Sequence, residues 1–172
     1  MSLSTVNTRA KLGLQAPLVS VEVHLSNGLP AFNIVGLPEA AVKESKDRFR
    51  SAIINSKFEF PNRRITVNLA PAELPKTGSR FDLAIAIGIL AASDQVPKQL
   101  IEQHEFIGEL ALSGELRGVE AILPAVIACA TADRHIIISP QNADEASFLT
   151  LLLYLPQLIF CKLPPTSIKC SL

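Results

Sequence analysis

Residues 83–92 are apolar on nearly every face of a helix, and this segment constrains the fold more than any other. A helix without a polar face must be buried on most sides, so the chain has to supply a sheet and other elements around it. The segment follows a strand closed by Pro71 and a loop that contains Lys76, Ser79 and Arg80. The sequence therefore predicts a buried helix that begins at about Arg80, next to a polar loop.

The composition predicts one folded domain with a sizeable core, because 48% of the 172 residues are hydrophobic and 19% are charged. Its three cysteines have no Cys-x-x-Cys spacing, which indicates neither a disulfide framework nor a zinc site. No signal segment is recognisable, so a cytoplasmic location is expected. The apolar run 148–160 is too short to span a bilayer, and we expect no membrane association.

Hydrophobic patterns predict a mixed β-sheet with helices packed on it, in the α/β (α+β) class. Residues 19–25 alternate as a half-buried strand, and Asn27-Gly28 predicts a hairpin to a second strand over residues 29–35. A helix is expected from Pro38, with Ala41, Val42, Ser45, Phe49, Ala52 and Ile53 on its buried face. Further strands are predicted over residues 64–69, 105–112 and 135–139, and further helices over residues 121–132 and 142–148. Residues 1–148 form the predicted domain, and residues 149–172 are treated as a separate tail.

Positive charge is concentrated in the first half of the chain. Residues 1–80 contain eleven Lys or Arg and six Asp or Glu, whereas residues 81–172 contain five and ten. Such a split suits either nucleic-acid binding or the pairing of opposite faces between subunits. The basic residues cluster on one helix and the next strand: Lys43, Lys46, Arg48, Arg50, Lys57, Arg63 and Arg64. Phosphate contact and an ordinary solvated face remain open as interpretations of this cluster.

The loop before the apolar helix contains three candidate functional side chains. Ser79 is predicted to cap the helix, because Asp82 follows at capping-box spacing and no adjacent histidine can activate the hydroxyl. Lys76 is expected to be exposed and available to phosphate rather than to act as a base. Arg80 opposes the helix dipole, so a partner is expected: a phosphate, a carboxylate across a subunit boundary, or the nearby Asp82 or Glu73.

Nucleotide and metal motifs are missing from the sequence. Neither Gly-x-x-x-x-Gly-Lys-Ser/Thr nor Gly-x-Gly-x-x-Gly occurs, and no His, Cys or carboxylate group has metal-site spacing. We therefore expect no cofactor in this chain.

Several motifs occur in order along the chain: Val35-Gly36-Leu37-Pro38-Glu39, Asn68-Leu69-Ala70-Pro71-Ala72-Glu73-Leu74-Pro75-Lys76, Arg80-Phe81-Asp82-Leu83 and Gly108-Glu109-Leu110-Ala111-Leu112-Ser113-Gly114. In these motifs the chain resembles the N-terminal domain of the ComM/YifB family of magnesium-chelatase-like AAA+ proteins. The family pattern has glycine and proline where this chain has Ser79 and Ala84. The resemblance covers about residues 1–148.

The resemblance implies a Lon-protease-like β-α-β fold, followed in full-length members by an AAA+ module that uses ATP and Mg²⁺. It further implies a hexameric DNA branch-migration helicase that acts in recombination during natural transformation. The catalytic dyad of Lon is lost, because Arg80 stands at the position of its serine and Leu123 is near that of its lysine. Neither side chain can take those roles, so no peptidase activity is expected.

These observations predict a non-catalytic domain of a DNA-processing motor that contributes DNA contacts, ring assembly or both. The candidate contacts to the DNA backbone are Lys43, Lys46, Arg50, Arg63, Arg64, Lys76 and Arg80. A pure oligomerisation scaffold is the main alternative. A divergent peptidase or a metal-chelatase subunit is less consistent with the missing dyad and the missing metal ligands.

Overall fold

The computed structural model describes residues 2–36, 38–40, 42 and 45–147. The strands are β1 (Ser2–Arg9), β2 (Leu18–Ser26), β3 (Ala31–Val35), β4 (Arg64–Ala70), β5 (His104–Phe106), β6 (Glu109–Leu110), β7 (Leu116–Arg117) and β8 (His135–Ile137). The helices with both ends defined are α1 (Lys46–Asn55), α2 (Asp82–Ala92) and α3 (Leu123–Thr131), with 3₁₀ turns at Lys98–Leu100 and Pro140–Asn142. Ala40, Val42 and residues 143–147 are also helical, the last within the helix predicted over residues 142–148. The predicted tail over residues 149–172 and the candidate Lys43 lie outside the described residues.

The described strands form a mixed sheet in the order β3-β4-β2-β1-β5-β8, and β6 and β7 pair separately as a hairpin. The β1–β2 and β2–β4 pairs are antiparallel, whereas β3–β4, β1–β5 and β5–β8 are parallel. The predicted α+β class, a mixed sheet with packed helices, is confirmed. No helix among the described residues is long and apolar enough to cross a membrane.

Helix α2 occupies the centre of the core, and all its residues are buried, as its uniform hydrophobicity predicts. It packs against β1 and β2, whose inner faces contribute Val6, Val21 and Val23. Helix α1 adds Phe49, Ala52 and Ile53 to the same core, which confirms the face predicted for it. Burial of each large side chain contributes about 1.5–3 kcal/mol, so this layer supplies much of the hydrophobic stabilisation.

The predicted hairpin between β2 and β3 is wrong. The chain does reverse after Ser26, but β4 lies between the two strands, antiparallel to β2 and parallel to β3. A turn motif such as Asn27-Gly28 fixes the reversal of direction, whereas the pairing partner depends on which strand buries the most apolar surface. The predicted helix start is confirmed in part: Pro38 itself forms a parallel bridge with Lys76, Ala40 and Val42 are helical, and α1 follows the turn at Ser45 and begins at Lys46.

The predicted strand over residues 105–112 is divided into two strands that belong to different sheets. Strand β5 ends at Phe106, and the Gly108 amide then donates a hydrogen bond to the Arg80 carbonyl at 3.1 Å. A Cβ at Gly108 would lie 2.5 Å from a methyl group of Leu116, so a larger residue there would require the Leu116 side chain to move. Strand β8, predicted over residues 135–139, lies at the sheet edge, and its residues are half-buried.

Candidate functional site

Four of the seven predicted DNA contacts are exposed: Lys46, Arg50, Arg63 and Arg64. We call these four residues the basic surface. Lys46 begins α1 and lines a shallow groove beside β3, and Arg64 begins β4. The guanidinium of Arg50 stacks over the ring of Phe60 at 5.3 Å from its centroid, which joins α1 to the segment before β4. None of the four forms an ion pair with an acidic residue in the described part of the chain.

Unpaired exposed cations of this kind suit contact with phosphates rather than recognition of bases. Phosphate contacts need clustered positive charge and no particular donor pattern. Arg50 covers the ring of Phe60, so this ring is not free to stack on a base.

The prediction that Lys76 is exposed is wrong. Its side chain is fully buried at 0% exposure, and its Nζ donates a hydrogen bond to the Pro71 carbonyl. Burial lowers the pKa of the Lys76 ammonium, although Glu73 acts in the opposite direction. The Lys76 carbonyl in turn accepts from the Glu39 amide at 3.2 Å. Lys76 therefore holds two loops together and cannot reach a DNA phosphate.

The predicted capping role of Ser79 is also wrong. Helix α2 is preceded by Phe81 at its cap position, and no side chain caps it. The Ser79 hydroxyl instead donates to the carboxylate of Glu109 at the start of β6. Asp82, the expected partner of the capping box, accepts from Arg48 Nε at 2.8 Å and from the Leu110 amide at 3.3 Å. Both carboxylates thus bind groups far away in sequence instead of the local turn.

The Arg48–Asp82 pair joins α1 to α2. Burial is the largest influence on Asp82 and raises the pKa of its carboxyl to about 6, although the hydrogen bond and charge of Arg48 oppose the shift. The side chain of Asp82 is 1% exposed and that of Arg48 is 30% exposed, so solvent reaches only the arginine. The Asp82 carboxyl therefore takes up a proton more readily in the folded protein than in the unfolded chain.

We expect Asp82 to make the free energy of unfolding fall as the pH rises from about 4 to about 6. A carboxyl with a folded-state pKa of about 6, against an ordinary value of 3.8, contributes stability that is present at low pH and lost on ionisation, up to about 3 kcal/mol. Urea unfolding of the wild type and of the Asp82→Asn variant at pH 4–7 measures this contribution, with the exposed Asp47→Asn as the control. If the wild type instead gained stability relative to Asp82→Asn as the pH rises, the expectation would be contradicted, and Arg48 would be the dominant influence on the Asp82 carboxyl.

The guanidinium of Arg80 lies in the protein interior. Its residue is 5% exposed, and Nε and Nη2 have no hydrogen-bond partner among the described residues. Burial lowers the pKa of this guanidinium. The predicted local pairing with Asp82 or Glu73 is wrong, because Asp82 binds Arg48 and Glu73 forms no ion pair with Arg80.

Arg80 lines a cavity of about 280 Å³ beside the start of α2. We call it the loop cavity. Its lining residues come from three parts of the chain: Lys11; Thr77, Gly78, Ser79 and Arg80; and Glu109, Gly118, Val119 and Glu120. Sequence reasoning identified the loop but missed Lys11 and Glu120. The conspicuous Gly108-Glu109 motif was the available signal that the β6 region meets this loop.

The described residues at this cavity do not pair a serine hydroxyl with a basic nitrogen. The hydroxyl of Ser79 is bonded to a carboxylate, and the Nζ of Lys76 to a backbone carbonyl. Within the described residues, no group of three or more His, Cys, Asp or Glu could hold a metal ion. The cavity thus presents a buried cation and hydroxyl groups, which suit binding of an anion better than nucleophilic chemistry.

The amino-acid sequence matches a known protein family and several bacterial proteins. The family model for subunit ChlI of Mg-chelatase matches residues 21–142. The chain is 59% identical over 150 residues to "Competence protein ComM" of Haemophilus influenzae, which covers 87% of this chain and 30% of the relative. It is 53% identical over 150 residues to "Uncharacterized protein YifB" of Salmonella typhimurium, again over 87% of the chain and 30% of the relative. The chain therefore spans about 30% of the length of these relatives.

Proposed function

The chain belongs to the ComM/YifB family of magnesium-chelatase-like proteins, and from this premise we propose that it is the non-catalytic N-terminal domain of an AAA+ ATPase that acts on DNA. The observation that carries the proposal is the basic surface, with its four exposed cations free of acidic partners among the described residues. In the full-length cytoplasmic protein, an ATPase module with ATP and Mg²⁺ drives branch migration of DNA in recombination during natural transformation. The domain contributes backbone contacts and assembly of a hexameric ring.

The side chains at and near the loop cavity support the proposal that this domain is not catalytic. Arg80 stands where the resemblance to Lon would require the nucleophilic serine, and Leu123 is near the position of the lysine. A nucleophilic serine needs a base within hydrogen-bond reach. The Ser79 hydroxyl donates to the Glu109 carboxylate, and no second described group is placed to accept the proton from that carboxylate.

The positions of the basic residues support contact with the DNA backbone. Lys46 and Arg50 lie on α1, and Arg63 and Arg64 lie at the entry to β4, which the Arg50–Phe60 contact holds beside the helix. Exposed cations therefore lie on α1 and at the entry to β4, two parts of the chain that the Arg50–Phe60 contact joins. Each phosphate that these side chains neutralise releases counterions, which gives affinity without sequence preference.

A contribution to assembly is supported by a separate apolar surface. The loop between β1 and β2 exposes 93% of Leu14, beside a half-exposed Ile127 on α3. With Pro17, Pro124 and Ala128 these residues line an apolar groove. Such a surface suits a contact with a neighbouring subunit or with the rest of the full-length protein. The pairing of oppositely charged halves is less well supported, because Asp82 and Glu105 are occupied by internal ion pairs.

The salt dependence of DNA affinity tests the proposal. We expect the Arg63→Gln/Arg64→Gln variant to bind duplex DNA more weakly and to reduce the slope of log affinity against log salt by about 2, one unit for each lost phosphate contact. The matched control is Lys98→Gln/Arg117→Gln, which removes two exposed cations outside the basic surface and should leave the slope unchanged. Fluorescence anisotropy with a labelled duplex at 50–200 mM salt measures both.

Equal losses in the two double variants would contradict a contact surface at Arg63 and Arg64. Salt-sensitive self-association of the chain without measurable DNA binding would favour the oligomerisation scaffold. Sedimentation velocity on the same samples separates these outcomes, because it reports assembly independently of DNA.

A further inference from the structure

The guanidinium of Arg80 is the least satisfied polar group at the loop cavity. Its Nε and Nη2 are shielded from solvent and have no partner among the described residues. A buried charge without hydrogen bonds is costly, and folded proteins usually provide a counter-charge for it. Arg80 also lines the cavity beside it. Because Nε and Nη2 are shielded from solvent, a ligand in the cavity supplies their missing acceptors when the Arg80 side chain turns toward it.

The two acidic residues of the cavity do not supply that counter-charge. Glu109 accepts the Ser79 hydroxyl, and its Oε1 lies 3.6 Å from Arg117 Nη1. The Glu120 carboxylate is 94% exposed and lies 3.6 Å from Lys11 Nζ. Each carboxylate is therefore engaged elsewhere, and Arg80 forms an ion pair with neither of them.

We propose that the loop cavity binds a phosphate group, with Arg80 as its principal contact. A guanidinium presents a planar fork of donors that matches two oxygens of a phosphate. The ammonium of Lys11 and the hydroxyl of Thr77 line the same cavity and can serve the remaining oxygens. Gly78 has a φ of +73° and open space where a Cβ would stand, so this loop leaves room for the ligand.

The size of the cavity and the number of its donors favour a phosphate over a simple carboxylate. About 280 Å³ is several times the roughly 30 Å³ that one water occupies, so there is room for a phosphate and part of the group that bears it. A phosphate offers more acceptor oxygens than a carboxylate to the three donors at the cavity. The ligand is thus free phosphate or the terminal phosphate of a nucleic-acid strand, and both share this chemistry.

This site is separate from the basic surface and does not depend on it. Arg63 and Arg64 do not line the loop cavity, and Arg80 does not lie on the exposed faces of α1 or β4. Loss of phosphate binding and loss of duplex binding can therefore be measured independently.

Titration with inorganic phosphate at constant ionic strength, followed by ³¹P NMR and by calorimetry, tests the proposal. We expect saturable binding of one phosphate to the wild type, and affinity at least about ten-fold weaker in Arg80→Gln, the effect of losing one charge-assisted pair. Arg80→Lys keeps the charge without the fork and should fall between the two. Arg63→Gln is the control and should bind phosphate like the wild type.

A second measurement keeps the test valid if Arg80→Gln does not fold. Phosphate should raise the thermal midpoint of the wild type and of Arg63→Gln more than chloride does at equal ionic strength, and this excess should shrink in Lys11→Gln. An oligonucleotide with a 5′-phosphate that competes with inorganic phosphate, where its unphosphorylated form does not, identifies a strand end as the source. Failure of that competition assigns the site to free phosphate.

Three results would overturn the proposal. The first is no saturable phosphate binding by the wild type, and the second is unchanged affinity in a folded Arg80→Gln variant. The third is acetate binding as tight as that of phosphate, which would make the site a carboxylate site.

Discussion

Replacement of Glu105 by glutamine is expected to lower the free energy of unfolding by about 3–5 kcal/mol, because it leaves a buried arginine without its counter-charge. Glu105 lies on β5 at 0% exposure and receives both arms of Arg9, at 2.6 Å and 2.8 Å. The third nitrogen of Arg9 donates to the Ala16 carbonyl at 3.0 Å. Arg134 approaches the same carboxylate at 3.3 Å from the loop before β8.

This network joins β1 to β5 and to the loop before β8. Strand β1 meets β5 through the single register pair of Asn7 with Glu105, and β5 carries the edge strand β8. A neutral amide at position 105 can accept only part of the two-armed contact, and its own N–H groups would face the donors of Arg9. We therefore expect the β5–β8 side of the sheet to separate from β1 first.

Chemical denaturation measures the loss of unfolding free energy in Glu105→Gln, and two further variants serve as controls. Glu115→Gln removes an exposed carboxylate and should change stability by less than about 0.5 kcal/mol. The double variant Arg9→Met/Glu105→Leu replaces the pair by apolar side chains and should recover most of the stability, since a buried ion pair is often no better than a well-packed apolar pair. A cost below about 1 kcal/mol in Glu105→Gln would show that water or a neighbouring group satisfies Arg9.

The fold was predictable wherever one-dimensional patterns reflect burial directly. The uniform hydrophobicity of α2, the alternation in β2 and the buried face of α1 each follow from the spacing of apolar residues. Strand β1 was missed because its inner face includes Ser4 and Thr8, which weaken the apolar alternation, and because the opposite face ends in the buried Arg9. The Ser4 hydroxyl is satisfied by the Gly88 carbonyl of α2 at 2.6 Å, a partner that local sequence does not indicate.

The candidate site was less predictable because its polar groups form hydrogen bonds with residues that are distant in sequence. Ser79 has capping-box spacing to Asp82, yet its hydroxyl donates a hydrogen bond to Glu109 on β6 instead of capping the helix. Asp82 forms an ion pair with Arg48, which lies on a different helix. The buried Lys76 donates a hydrogen bond to the Pro71 carbonyl. Local spacing limits which contacts a side chain can form, whereas tertiary packing decides among them. The exposure of the four residues of the basic surface was easier to predict, since an exposed cation needs no partner.

Gly36→Ala is the second variant for which a large effect is expected, a loss of more than about 3 kcal/mol. Gly36 has a φ of +94°, where a side chain costs about 1–2 kcal/mol. A Cβ there would also overlap the Leu69 carbonyl oxygen and lie 2.8 Å from the carbonyl carbon and the amide nitrogen of Leu69. Overpacking adds about 1–3 kcal/mol, and backbone atoms of a central strand cannot rotate aside as a side chain can.

The position of Leu69 explains why relaxation is costly at this site. Leu69 pairs with Val21 across the β2–β4 ladder, so a shift that accommodates the new methyl group breaks hydrogen bonds in the middle of the sheet. Gly28→Ala is the matched control, because Gly28 also has a positive φ of +130° but nothing within 4 Å of its Cβ position. Urea unfolding should therefore show a markedly smaller loss in Gly28→Ala. Equal losses in the two variants would mean that backbone conformation alone sets the cost and that β3 can move away from β4 freely.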